Sequence, residues 1–264
     1  ADALAQRWHG AASGRLRYAY APRFALSCSD ELMRGVAERV AARPELGLRV
    51  HTHAAEQPDE VALVRARYGL GNVAALESLG LCGPQVVLAH CVHLADGEMQ
   101  QLARAGTHVT HCPSSNLKLG SGIAQVVELL AAGVNVALGC DGAPCSNRLD
   151  GFSELRLAAL LQKGRKGPSA LPAAQALQVA TLGGAQALGL GHAIGSLAAG
   201  KRADITVVDL TTLAALPPHP TISALVYAVA ACDVRHVFVD GRWLVEGGAL
   251  RAETGLDVER LRAQ

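Results

Sequence analysis

The sequence predicts an α/β protein built on a parallel sheet. Apolar runs of strand length alternate with stretches of helical periodicity along most of its 264 residues. Some runs, such as 84–94 and 134–142, are nearly continuous in apolar residues, which suits strands covered on both faces in an open sheet or a closed barrel. Run after run then ends in a histidine, an arginine or an acid, at the edge where parallel sheets and barrels carry their sites.

In chain order, RLRYAYAPRFALS (15–27) reads as a strand and its following loop, and SDELMRGVAERVAAR (29–43) as a helix with Ser29 as N-cap. GLRVHTHAAE (47–56) is a strand, and 58–69 and 72–80 are helical. PQVVLAHCVHL (84–94) is a strand, 96–106 a helix, THVTHCPSSN (107–116) a strand, 121–133 a helix and VNVALGCDG (134–142) a strand. A long helix is expected over 150–164, a solvated loop over 163–172 and further helix over 172–190. The tail changes character: ADITVVDL (203–210) and RHVFVDGRWLVEGG (235–248), the latter with an Asp-Gly turn between alternating runs, read as a small β appendage.

Composition removes several classes. Hydrophobic residues make up 50% and aromatic residues 3%, so the core is built of Ala, Leu and Val, and a net charge of +1 offers no attraction to nucleic acid. No apolar stretch is long enough to span a membrane, and ADALAQRWHG is no secretory leader. The seven cysteines form no C-x-x-C pair. Cys28, Cys91, Cys112 and Cys140 lie in or beside apolar runs, which reads as reduced thiols of a cytoplasmic protein.

The chemistry sits at the strand ends: Arg23, His53 with Glu56 just beyond, His90, His111 with Asn116, and Asp141. Asp141 closes an apolar strand, where a carboxylate must be hydrogen-bonded, paired or bound to a metal, since burying it bare is costly. Any one of these residues could be a satisfied core or capping group. Imidazole and carboxylate on consecutive strands suit zinc, whose catalytic sites keep a position open for water.

These motifs carry a resemblance. HTHAAE, LAHCVHL, HCPSSNLKLGSG and LGCDGAPCSN, in this order and spacing, resemble strands five to eight of the amidohydrolase superfamily, in its deaminase and triazine-hydrolase branch. PRFALSCSDEL (22–32) resembles the segment after strand four of guanine deaminases, and IGSLAAGKRADITVVDL (194–210) the superfamily's small β-sandwich. The resemblance implies a partial (β/α)8 barrel, strands four to eight, over 1–190, and part of a β-sandwich with a C-terminal helix over 191–264.

It also implies roles. His53 and Asp141 would ligate one divalent metal, zinc with iron as the alternative, because no lysine lies in RLRYAYAPR where two-metal members place a bridging one. Asp141 would take the proton of an acidified water. His90 would orient that water and stabilise the developing oxyanion, Glu56 would protonate a ring nitrogen of the substrate, and Arg23 would contact the substrate. His93, His111, Asn116 and Lys118 would shape the loop over the pocket, and Asn147 and Glu154 would position the loop after Asp141. The superfamily's H-x-H pair on strand one has no counterpart, since His51-Thr-His53 fits strand five and leaves His51 deeper in the barrel.

The implied reaction is deamination of a purine-type heterocycle. The substrate is an adenine nucleoside such as 5′-deoxyadenosine, methylthioadenosine or S-adenosylhomocysteine, with guanine, triazine or pterin chemistry as alternatives. The rival expectation is a catalytically incomplete fragment or partner subunit. A barrel begun at strand four exposes strand edges on 15–23 and 134–142, so self-association or completion by an N-terminal half is expected.

Overall fold

The computed structural model describes residues 1–254. Its main sheet has five strands in sequential order: β1 (Ala19–Tyr20), β2 (Arg49–Ala54), β3 (Val86–His90), β4 (His108–His111) and β5 (Val136–Leu138). All four pairings are parallel, each strand leading through helix to the next, which gives an α/β fold consistent with part of a (β/α)8 barrel.

The sequence explains which face of each strand meets the core. In β2, Val50, Thr52 and Ala54 are buried while Arg49, His51 and His53 are half-buried on the opposite face. β3 is buried at all five positions. Between sheet and helices, Met33, Leu76, Leu81, Leu88, Leu102 and Leu129 are fully buried and form one continuous core. Register places Ala89, Thr110 and Ala137 level with His53, so small side chains surround that ring and leave space beside it.

The helix Asp30–Ala41 starts where its cap predicts: Ser29 Oγ accepts from Leu32 N. Asp150 does the same for Gly151–Lys166, accepting from the amides of Phe152 and Ser153. That helix runs through Lys166 to Gly167, taking in the first part of the loop expected over 163–172. Its basic last turn complements the carbonyl end of the helix dipole.

Other departures have local causes. Of the strand and following loop expected over 15–27, the strand is only Ala19–Tyr20, and it ends before Pro22, which cannot donate to a ladder. The strand over 107–116 stops at His111, and Pro113, pre-set for a first helical turn, opens the helix Pro113–Lys118; Asn116 is therefore on a helix, not at a strand end. The helix over 121–133 contracts to Val126–Ala131, preceded by Gly120 and Gly122 at positive φ. Within 172–190, Ala173–Gln178 gives way to a π-helical stretch, Val179–Gly183.

The tail forms an antiparallel sheet of β6 (Ile205–Val208), β7 (Val234–Val239), β8 (Arg242–Glu246) and β9 (Ala249–Leu250). Asp240 and Gly241, both at positive φ, turn the β7–β8 hairpin as the Asp-Gly signal requires. The C-terminal helix expected at the chain's end falls outside the described residues. Cys91 and Cys112 are buried, whereas Cys28 and Cys140 are only partly so, and all are free thiols. Among the described residues, no helix is long and apolar enough to cross a membrane.

Candidate active site

A cavity of about 490 Å³ opens at the C-terminal edge of the main sheet, and Arg23, His53, Glu56, His90, Asp141 and Cys145 line it. The backbone is unusual there. Ala55, His90, Cys91 and Asp141 all have positive φ without being glycine, a strained state that persists where surrounding structure imposes it and that clusters at functional sites.

The carbonyl of Arg23 is the hub for His53. It accepts from His53 N at 3.0 Å, from Thr52 Oγ1 at 3.1 Å and from His53 Nδ1 at 2.6 Å. A carbonyl only accepts, so Nδ1 carries the hydrogen and Nε2 is left with its lone pair, the arrangement of metal-binding histidines. The side chain of Arg23 is exposed and lies over Phe24, 5.4 Å from the ring centroid.

His53 stacks on His90, centroids 5.3 Å apart. His90 is 1% exposed; its Nδ1 meets Asn116 Oδ1 at 2.8 Å, and its Nε2 stands 3.7 Å from Glu56 Oε2. Glu56 is held through its main chain. Glu60, in the first turn of the next helix, accepts from Ala55 N at 3.0 Å and Glu56 N at 2.7 Å, and Asn72 Nδ2 secures its carboxylate.

Asp141 accepts from Ser115 Oγ and, at 2.6 Å, from Gly142 N. Burial opposes its ionisation, but these two bonds and the imidazoles of His90 and His53 outweigh it and hold its pKa below the ordinary carboxylate value. His51 lies deeper on the same face, 5.9 Å from the His53 ring, and burial pushes its pKa down.

The remaining predicted residues serve the surroundings. His111 does not reach the cavity: alternation along β4 turns it to the opposite face from Thr110, where it is fully buried with neither ring nitrogen partnered. His93 Nε2 binds Ser121 O at 2.6 Å, and Lys118 ties Pro144 O and Asn147 Oδ1, bracing the loop after Asp141. Glu154 accepts from Ser114 N, and burial raises its pKa. Asn116, expected to shape the loop over the pocket, meets His90 directly, and Ser115 and Glu60, for which the sequence predicts no role, hold Asp141 and the main chain of Glu56. Nothing in the spacing of Ser115 and Asn116 announces their partners, which come from other strand ends, whereas Glu60 meets main-chain amides only four and five residues before it.

His53 Nε2 and the ionised Asp141 are donors that suit a borderline divalent cation, so the residues present fit one. They form an incomplete shell, because among the described residues no three His, Cys, Asp or Glu side chains group to hold a metal.

A family model described as the amidohydrolase family matches residues 1–244. The chain belongs to the amidohydrolase family. This amidohydrolase is 47% identical over 262 residues to 5-methylthioadenosine/S-adenosylhomocysteine deaminase of Moorella thermoacetica, covering 99% of this chain and 60% of the relative. It is 45% identical over 240 residues to 5′-deoxyadenosine deaminase of Methanosarcina acetivorans, covering 90% of this chain and 54% of that one. Its fold superposes on a crystal structure of an adenosine deaminase from Xanthomonas campestris with bound zinc at a TM-score of 0.91 and 36% identity, over 99% of this chain and 58% of the other. The amidohydrolase described here thus spans between 54 and 60% of the lengths of these proteins.

Proposed function

We propose that this amidohydrolase carries the catalytic half of a hydrolytic deaminase of adenine nucleosides, with 5′-deoxyadenosine, methylthioadenosine and S-adenosylhomocysteine as the substrate class. The observation that carries the reading is that His53, Glu56, His90 and Asp141, drawn from three strand ends, line one cavity. The names of the relatives support the choice of substrate.

His53 and Asp141 would hold one divalent cation, zinc or alternatively iron, and when bound it would lower the pKa of water and offset developing negative charge. His90 orients the water through Nε2. Asp141 accepts the water's proton as its oxygen adds to the amino-bearing ring carbon, and returns it to the departing nitrogen. Glu56 protonates the neighbouring ring nitrogen, which makes that carbon electrophilic. The C–N bond breaks and ammonia leaves, the added hydroxyl gives its hydrogen back to Glu56, and the ring keeps the oxygen as a carbonyl. The Arg23 guanidinium is a fixed donor to the substrate.

In this reading of a cytoplasmic protein, residues 1–190 are the barrel portion and the described residues from 191 to 254 the β-sandwich portion. The two edges of the main sheet, β1 and β5, pair with a complementing N-terminal half or with a second copy. The second reading, a partner subunit without activity of its own, is favoured by the incomplete metal shell.

Metal content per chain, with ammonia release from the three nucleosides and from guanine, tests the proposal. Zinc near one per active unit with release from the nucleosides supports it. Metal-free protein that releases no ammonia from any of them supports the second reading. Light scattering reads the association state, and a compact monomer active alone overturns the need for completion.

A further inference from the structure

Two adjacent residues on one short helix hold two of the groups assigned to chemistry. On Pro113–Lys118, Ser115 Oγ donates to Asp141 and Asn116 Oδ1 faces His90 Nδ1 at 2.8 Å; both residues are fully buried. The helix is fixed at each end. Ser114 N donates to the buried Glu154 at 3.0 Å, and beyond the helix Ser121 receives Gln57 Nε2 at 2.7 Å and His93 Nε2 at 2.6 Å. Ser121 N returns to Asn116 O at 2.8 Å.

We propose that Ser115 and Asn116 are positioning residues, and that Asn116 sets His90 as a hydrogen-bond acceptor toward the cavity. The inference rests on the deaminase reading for its catalytic consequence. An amide oxygen only accepts, so the hydrogen of a neutral His90 sits on Nδ1 and its lone pair on Nε2. That nitrogen faces Glu56 Oε2 at 3.7 Å and can receive an O–H from Glu56 or from the attacking water. His90 then orients the water by accepting from it, instead of stabilising an oxyanion by donation.

The cost borne by Asn116 supports the assignment. Its Nδ2 is buried without a partner, a loss of about 1–3 kcal/mol that an apolar residue of the same size would avoid. An amide kept at that cost is explained by its oxygen on His90. Ser115 acts in parallel: it occupies one carboxylate oxygen of Asp141 and fixes the plane of the group.

Two-bond 1H–15N spectra of histidine-labelled protein test this directly, because they distinguish an Nδ1–H ring, an Nε2–H ring and a doubly protonated one. His90 is expected to carry its hydrogen on Nδ1, and Asn116→Leu should move it wholly or partly to Nε2. Asn116→Leu removes the orphaned Nδ2 but leaves the buried Nδ1 of His90 without a partner, so the melting temperature should change little, while turnover falls about 10- to 100-fold with KM little changed, the size of effect seen for groups that orient a catalytic residue. Asn116→Asp, which keeps an acceptor at the same place, should retain the Nδ1–H form. A parent His90 protonated on Nε2, or a tautomer unchanged by Asn116→Leu, overturns the proposal. So does a turnover loss that the unfolded fraction of the variant at the assay temperature accounts for in full. The spectra need no substrate: protein that deaminates nothing defeats the functional reading and leaves the tautomer result standing.

Discussion

The Nδ1 of His53 lies 2.6 Å from the main-chain carbonyl of Arg23, so a residue expected to act through its side chain orients the proposed metal ligand through its backbone. The two functions are separable. Arg23→Ala should leave metal content unchanged and raise KM more than it lowers kcat, because only a substrate donor is lost. His53→Ala should empty the site. Plasma spectrometry beside initial-rate kinetics distinguishes them, and loss of metal in Arg23→Ala would show that the side chain shapes the site.

Asp141→Asn should lower turnover by about 10²- to 10⁴-fold, since an amide neither accepts the water's proton nor offsets cationic charge. Glu56→Gln should keep the metal and lose turnover over the same range, ~10²- to 10⁴-fold, for want of the proton donor. Near-normal ammonia release from Glu56→Gln would remove Glu56 from the mechanism.

Glu60 holds the backbone of Ala55 and Glu56 with both carboxylate oxygens and is 9% exposed. Glu60→Ala leaves two amides and Asn72 unpaired and should cost about 2–3 kcal/mol in urea unfolding, in the range of hydrogen bonds to a charged group. Turnover should fall beyond what the unfolded fraction accounts for, because Glu56 is no longer held.

His111 gives a pH signature. Burial lowers its pKa to about 4 from 6.5, so the unfolded chain binds a proton in that interval and the folded one does not. Stability should therefore rise with pH through this window, by about 3 kcal/mol in all at 1.36 kcal/mol per pH unit. His111→Leu should flatten that slope. Denaturation at about pH 4 and pH 7 reads it, and an unchanged slope would place the pH dependence in the carboxylates.

Gly183 allows the π-helical segment to lie against β5. A Cβ there would stand 2.3 Å from Val136 O, a backbone atom that cannot turn aside. Gly183→Ala should destabilise by about 1–3 kcal/mol or more, as overpacking does. A neutral effect in thermal melts would mean that the segment moves off the sheet freely.

The sequence by itself determined the order of the five main strands, most of the helices between them and the faces that β2 and β3 bury. Periodicity and caps act within one turn or one strand: Ser29 caps its helix, the valines of β3 are buried on both faces, and Asp240-Gly241 turns a hairpin. It also placed His53, Glu56, His90 and Asp141, because parallel strands bring their ends to one edge whatever the detail between them. What only the tertiary structure decided is who holds these groups. Ser115 meets Asp141 across 26 positions of chain, and Asn116 meets His90 across another 26. His111 ends a strand of the same sheet and is an imidazole like His53, yet the two-residue period turned it into the core. Such pairings depend on strand register and on where a proline starts a helix, quantities that no local pattern carries. Local propensity wrote the elements of this fold, and long-range packing chose the partners at its site.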